Sequence, residues 1–159
     1  MNTVGAPPVS PHPPHDGHLH VAVVSDAWYP QVNGVVRTLV TTAEELEVMG
    51  HQVTFVTPDK FRTVPCPTYP EIRLAVFPDR RIAELLDAAL PCAIHIATEG
   101  PLGHAARRYC LERGLPFTTA YHTKFPEYVH ARIGIPVSWT YRMMRRFHGP
   151  SSGVMVATA

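Results

Sequence analysis

Apolar positions along this chain alternate between two rhythms. Residues 20–26, HVAVVSD, form a continuous apolar run between polar neighbours, as expected for a strand covered on both faces. Beyond a loop, Val36, Leu39, Val40, Ala43 and Leu46 recur at helical spacing, so residues 35–49 are predicted helical, with Gly50 as the stop. The next apolar run, 53–57, reads as a second strand and EIRLAVF, 71–77, as a third. RIAELLDAAL predicts a helix over 81–90, AIHIAT a strand over 93–98, and 101–113 a helix closed by Gly114. PFTTAY at 116–121 is the next strand, helices follow over 126–133 and 137–147, and VMVAT at 154–158 is a last strand. Strands that alternate with helices call for an α/β fold, a doubly wound and mostly parallel sheet, with the first strand central.

Composition adds little to that class but removes some functions. The 159 residues suit one domain. With 45% hydrophobic and 17% charged residues and a net charge of +1, nothing in the balance calls for a nucleic-acid partner. The 17 Pro and 10 His are unusual, and many fall in PPVSPHPPHDGHLH, residues 7–20, which has no apolar periodicity. Residues 1–18 therefore read as a disordered leader. His12, His15, His18 and His20 lie close together there, but no Cys or regular carboxylate accompanies them and the prolines oppose a ligand-aligning helix. No metal site is expected. The leader lacks the cationic start and apolar stretch of a secretory signal, and no apolar run is long enough for a membrane span. Cys66, Cys92 and Cys110, with no CxxC spacing, read as reduced thiols of a cytoplasmic protein. The chain stops on a strand-like run, which reads as a fragment of something longer.

In doubly wound sheets ligands bind outside the carboxyl ends of the strands, which nominates the loops after Asp26, Thr57, Thr98 and His122. The first of these, SDAWYPQVNGVVRT, ends in Asn33-Gly34. Asn33 is a good N-cap, and Gly34 allows close approach to the first N–H groups of the helix, where a phosphate is the natural occupant. Asn-Gly is equally a common turn, and the residues alone leave both readings open. Neither G-x-G-x-x-G nor G-x-x-x-x-G-K-[ST] occurs, which sets aside dinucleotide and P-loop binders. Trp28 and Tyr29 offer apolar faces with polar tips, suited to a sugar or a lipid headgroup, or simply to packing the loop. Arg37 lies one turn into the helix, facing the cleft or solvent. Thr98 and Glu99 follow a central strand; Glu99 suits both ligand contact and capping of the next helix. Asp26 suits holding its loop through side-chain-to-backbone bonds. His122 ends a strand, a place more often taken by a structural histidine than by a ligand-binding one. In WTYRMMRRF, residues 139–147, Trp139 and Met143 share one helix face, and Arg142, Arg145 and Arg146 another. That pattern fits an anionic membrane surface, and fits better an ordinary surface helix with its apolar side in the core.

Taken together, SDAWYPQVNGVVRT, the following TxxELxxxGHxVTFVTP, FRTVPCPTYPEIRLAVFP, HIATEGPLGHAARRYC and FTTAYHTKFPEYV resemble, in the same order, the amino-terminal domain of the family 4 retaining glycosyltransferases with the GT-B fold. The likeness is to bacterial lipid-glycosylating members, such as GDP-mannose-dependent mannosyltransferases and sulfoquinovosyl-diacylglycerol synthases, and it spans residues 19–159. It implies a Rossmann-like, acceptor-side half facing a carboxyl-terminal donor domain that this chain does not include. It implies no cofactor, a nucleotide-sugar donor such as GDP-mannose or a UDP-sugar, and a lipid or other hydroxyl acceptor, with peripheral contact at the inner face of the membrane. By position, the resemblance makes Asn33-Gly34 the loop near the donor phosphates and acceptor, with Arg37 beside it. It makes His122 the active-site histidine that contacts the transferring sugar, and Thr98 and Glu99 cleft-lining residues; Trp28 and Tyr29, read from their aromatic faces, are expected to line the same cleft. In such enzymes the leaving phosphate helps deprotonate the acceptor, so no general base is required. Two other functions fit the same residues: a relative with a soluble or polysaccharide acceptor, and a binding module without catalysis.

Overall fold

A computed structural model describes residues 17–31, 33–67, 69–122 and 136–156. Five strands form one parallel sheet in the order β2-β1-β5-β6-β7: β1 His20–Val24, β2 Gln52–Val56, β5 Ala93–Ile96, β6 Thr118–Tyr121 and β7 Gly153–Val156. Strand β5 takes the middle, and β1 lies beside it with a partner on each edge. Helices α1 Gly34–Val48, α2 Asp79–Ala89, α3 Pro101–Arg113 and α4 Val137–His148 connect them. This is the expected α/β class, Rossmann-like and doubly wound. The helix expected over 126–133 lies outside the described residues.

The third expected strand is a correction. Residues 71–77 do not join the sheet; β4, Tyr69–Ala75, pairs antiparallel with β3, Thr63–Cys66, in a separate hairpin. The reason lies in the same letters. In EIRLAVF, Glu71 and Arg73 are exposed and Ile72 and Leu74 half-buried, the period-2 alternation of a one-sided antiparallel strand. Pro65 and Pro70 lack the N–H of an interior ladder, which suits them to a two-stranded ribbon.

Alternation along the sheet separates two faces. Ala22, Val24, Val56, Ile94 and Ile96 pack with Ile82 and Leu86 of α2 and Leu102, Ala105, Ala106 and Cys110 of α3. Val23 and Ala97 pack under Leu39 of α1 on the other face. Asn33 starts α1 as its N-cap, its Oδ1 accepting from Val36 N–H at 3.1 Å. Gly114 ends α3 in the left-handed region, φ +63°, where the Leu115 N–H reaches back to the Cys110 carbonyl at 2.8 Å. No described helix is long and apolar enough to cross a membrane.

Candidate functional site

The parallel sheet brings the loops after β1, β5 and β6 to one carboxyl edge, side by side because their strands are neighbours. The first corner, between β1 and β5, is closed around Asp26. Its carboxylate accepts from Leu102 N–H at 2.8 Å, Gly103 N–H at 3.2 Å and Thr98 Oγ1 at 2.8 Å, while its own N–H donates to Thr98 Oγ1 at 2.7 Å. Burial pushes the Asp26 carboxyl up from its ordinary value; the bonds from Leu102, Thr98, Gly103 and Gly100 pull the other way. Asp26 thus covers the amino end of α3, the role that Glu99 was equally suited to fill. The glycines of EGPLGH make this approach possible. A Cβ on Gly100 would lie 2.4 Å from Asp26 Cγ, and one on Gly103 would lie 1.9 Å from the Thr98 carbonyl oxygen.

The second corner, between β5 and β6, holds Glu99 and His122. Burial holds the His122 imidazole below its ordinary value, and the Glu99 carboxylate beside it acts in the opposite sense. His122 Nε2 is buried and without a hydrogen-bond partner among the described residues. Next to His122, His95 of β5 bonds Thr118 Oγ1 at 2.9 Å and is held down to about 4, by burial first and by His122 second. Glu99 Oε1 takes a bond from His148 Nε2 at 3.1 Å, and His148 Nδ1 lies 2.9 Å from Thr119 Oγ1. His148 and Asp26 carry much of this edge, yet sequence reasoning does not single out His148. Its cue, a histidine at the end of an amphipathic helix followed by GPSS, has no distinctive spacing.

The remaining expected residues lie on the loop after β1 and on α1. Gly34 opens α1 and is exposed; a Cβ there would meet nothing within 4 Å among the described residues. Arg37 is exposed and lines a shallow hollow on α1 with Thr38, Thr41, Thr42 and Glu45. Trp28 is half-buried and stacks on Phe55 of β2, ring centroids 4.5 Å apart, which fastens the first loop to the sheet's outer strand. Tyr29 packs edge-on against Trp28 at 5.4 Å and remains 52% exposed.

Comparison with known proteins decides the family. Residues 32–159 match the model of Glycosyltransferase Family 4, most of the chain. The chain belongs to glycosyltransferase family 4. It is 28% identical over 167 residues to a GDP-mannose-dependent alpha-mannosyltransferase of Mycobacterium tuberculosis, covering 86% of this chain and 43% of that protein. It is 32% identical over 125 residues to an alpha-monoglucosyldiacylglycerol synthase of Streptococcus pneumoniae, covering 70% of this chain and 28% of the relative. A synthase of the same name from Acholeplasma laidlawii is 27% identical over 127 residues, 70% of this chain and 32% of the relative. The chain spans less than half the length of each of these relatives.

Proposed function

We propose that this chain is the acceptor-side half of a retaining glycosyltransferase that moves a sugar from a nucleotide diphosphate to a lipid hydroxyl. In this reading the chain is not active alone. The donor, GDP-mannose or a UDP-sugar, is held mainly by a carboxyl-terminal domain beyond residue 159, and the enzyme touches the membrane peripherally. Gly34 supports the reading most directly. Its open approach leaves the positive end of α1 available to a donor phosphate, at the same sheet edge where a His122 ring nitrogen has no partner among the described residues. A sugar hydroxyl would satisfy that nitrogen as donor or acceptor, since imidazole offers either. Asn33 fixes the start of α1 and thereby aims its first N–H groups. Arg37 adds positive charge one turn further on, Tyr29 offers an exposed ring to the acceptor, and Trp28 holds that loop in place. Thr98 and Glu99 form the wall between the two corners. No metal is assigned a role: the work left to the protein is positioning and charge stabilisation.

The relatives' names bear on substrate class. One states a GDP-mannose donor, the other a glucosylated diacylglycerol product. The test is transfer of radiolabelled sugar from GDP-mannose or UDP-glucose to diacylglycerol-containing vesicles by the enzyme completed with its carboxyl-terminal domain. A labelled glycolipid is the expected product. Label appearing on water-soluble acceptors alone would defeat the lipid reading, and no transfer from any nucleotide-sugar would defeat the enzymatic one.

A further inference from the structure

We propose that His148 is a positioning residue of this site: gripping one oxygen of Glu99, it keeps that carboxylate beside His122, so that the two are presented together to a hydroxyl-bearing ligand. The ligand class rests on the glycosyltransferase reading; the placement of Glu99 does not.

His148 is the last residue of α4, where the final carbonyls have no partner within the helix. The Arg107 guanidinium of α3 takes two of them, Nε donating to the Phe147 carbonyl at 2.9 Å and Nη2 to the Arg146 carbonyl at 2.8 Å. Ser151 Oγ donates to the His148 carbonyl at 2.7 Å, and the Ser152 N–H donates to the Phe117 carbonyl at 2.8 Å. The end of α4 is therefore tied to both α3 and the approach to β6.

The ring is as constrained as the backbone. Its side chain is 11% exposed, and Thr119, which meets Nδ1, is fully buried. Phe147 and Tyr121 pack edge-on against it at 5.1 and 6.1 Å between centroids. Proton accounting orients the ring. Ser151 spends its hydroxyl proton on the His148 carbonyl, and Thr119 can give its own to Ser151 Oγ, 3.3 Å away, or to Nδ1. With either choice, the Glu99 carboxylate can only accept, so Nε2 carries the proton that it receives. Rotating the ring out would break two part-buried bonds at once.

His122 comes to Glu99 from elsewhere. Thr118 faces His95, whereas Thr119 faces α4; continuing the alternation puts residue 122 on the His95 face. The influence of His122 on His95 agrees with that placement. The charge of Glu99 reaches His122 and also His104 of α3. His148 makes the hydrogen bond that fixes the carboxylate. That bond uses Oε1, and Glu99 keeps 20% exposure.

The test is the titration of His122, followed by NMR of its imidazole carbon and proton in the full chain. Glu99→Gln removes the charge that favours the imidazolium, and should lower the His122 midpoint. His148→Phe keeps the ring volume and loses both bonds, and should lower it in the same direction. His148→Gln, whose amide N–H can still donate to Glu99, should restore it toward the wild-type value. An unchanged midpoint in either Glu99→Gln or His148→Phe overturns the proposal. If His148→Phe does not fold, Thr119→Val releases Nδ1 in its place, and there an unchanged midpoint is equally fatal. Because no sugar transfer enters this measurement, failure of the glycosyltransferase reading would show in the lipid assay and not here.

Discussion

Two carboxylates stand at the same sheet edge, on neighbouring loops, and have opposite surroundings. Asp26 is buried and receives two backbone N–H groups and a hydroxyl; nothing is left for a ligand to do there. Glu99 is part-exposed, held by one imidazole, and beside a second imidazole whose Nε2 has no partner among the described residues. Position at the edge of the sheet does not separate a structural group from one that meets a ligand. Saturation of its hydrogen bonds does. The Asp26 corner stabilises the fold; in the other corner His122 Nε2 has no partner among the described residues, and in the proposed function a ligand hydroxyl supplies one.

The largest effects should come from breaking the closed corner. Asp26→Ala leaves the Leu102 and Gly103 N–H groups and the Thr98 hydroxyl without their acceptor, and should lower the unfolding free energy by about 3–5 kcal/mol in urea titrations. Gly103→Ala should be similarly harmful, since its Cβ would overlap a backbone carbonyl, which moves less readily than a side chain. Near-wild-type midpoints for both variants would show that Asp26 is not structural and would dissolve the contrast.

Next in size is a pH effect from the open corner. The folded-state value of His95 is depressed to about 4 from 6.5, so the neutral ring is favoured by folding. A depressed value gives stability that is fully present above 6.5 and is lost as the pH falls toward 4. That span corresponds to at most about 3 kcal/mol. His104 and His122 are also lowered and act in the same sense. His95→Gln should therefore flatten, without abolishing, the fall in stability between pH 7 and pH 4. A slope equal to wild type would mean that His95 is not buried as described.

The two corners also differ in how far the sequence revealed them. The strands and helices of the parallel sheet were legible because continuous apolar runs and helical spacing have few other interpretations. The hairpin of β3 and β4 is not legible in the same way, because a seven-residue strand carries its partner's direction only in its alternation, which the apolar content of EIRLAVF obscures. At the edge, Asn33 was legible as a cap because capping is local, four residues at most. The bond between Glu99 and His148 joins positions 49 apart, and the Asp26 contacts with α3 span 76 and 77. No local pattern encodes such pairs. Gly100 and Gly103 were the available signal, since two glycines flanking a helix start indicate that another group comes close.

A smaller effect, opposite in sign, should separate the corners more sharply. His122→Leu removes a buried nitrogen that has no partner among the described residues and fills the space with apolar atoms. It should raise stability by about 1 kcal/mol, whereas the same logic at Asp26 predicts a loss. In the completed enzyme this variant should lose most of its transfer activity. A destabilised His122→Leu with a normal fold would mean that the ring makes a stabilising interaction, and that its position is structural like that of Asp26.

The smallest change in stability is expected at Gly34, and it bears on the opposite end of the same edge. A side chain there enters open space, so Gly34→Ala and Gly34→Val should shift the unfolding free energy by no more than about 0.5 kcal/mol. If the first turn of α1 is only a surface turn, activity should be equally indifferent. If a donor phosphate approaches its N–H groups, even a methyl group comes between them and the oxygens, and the larger isopropyl group more so. The expected signature is a graded loss in kcat/KM from Gly to Ala to Val in the completed enzyme, with thermal midpoints almost unchanged. Asn33→Ala provides the internal control, since it removes the cap bond to Val36 and should cost about 1 kcal/mol while adding no bulk. A loss of activity that followed stability across these variants would assign the effect to fraying of α1. A loss that followed side-chain volume at constant stability would place the ligand against Gly34, on the open side of the comparison with His122.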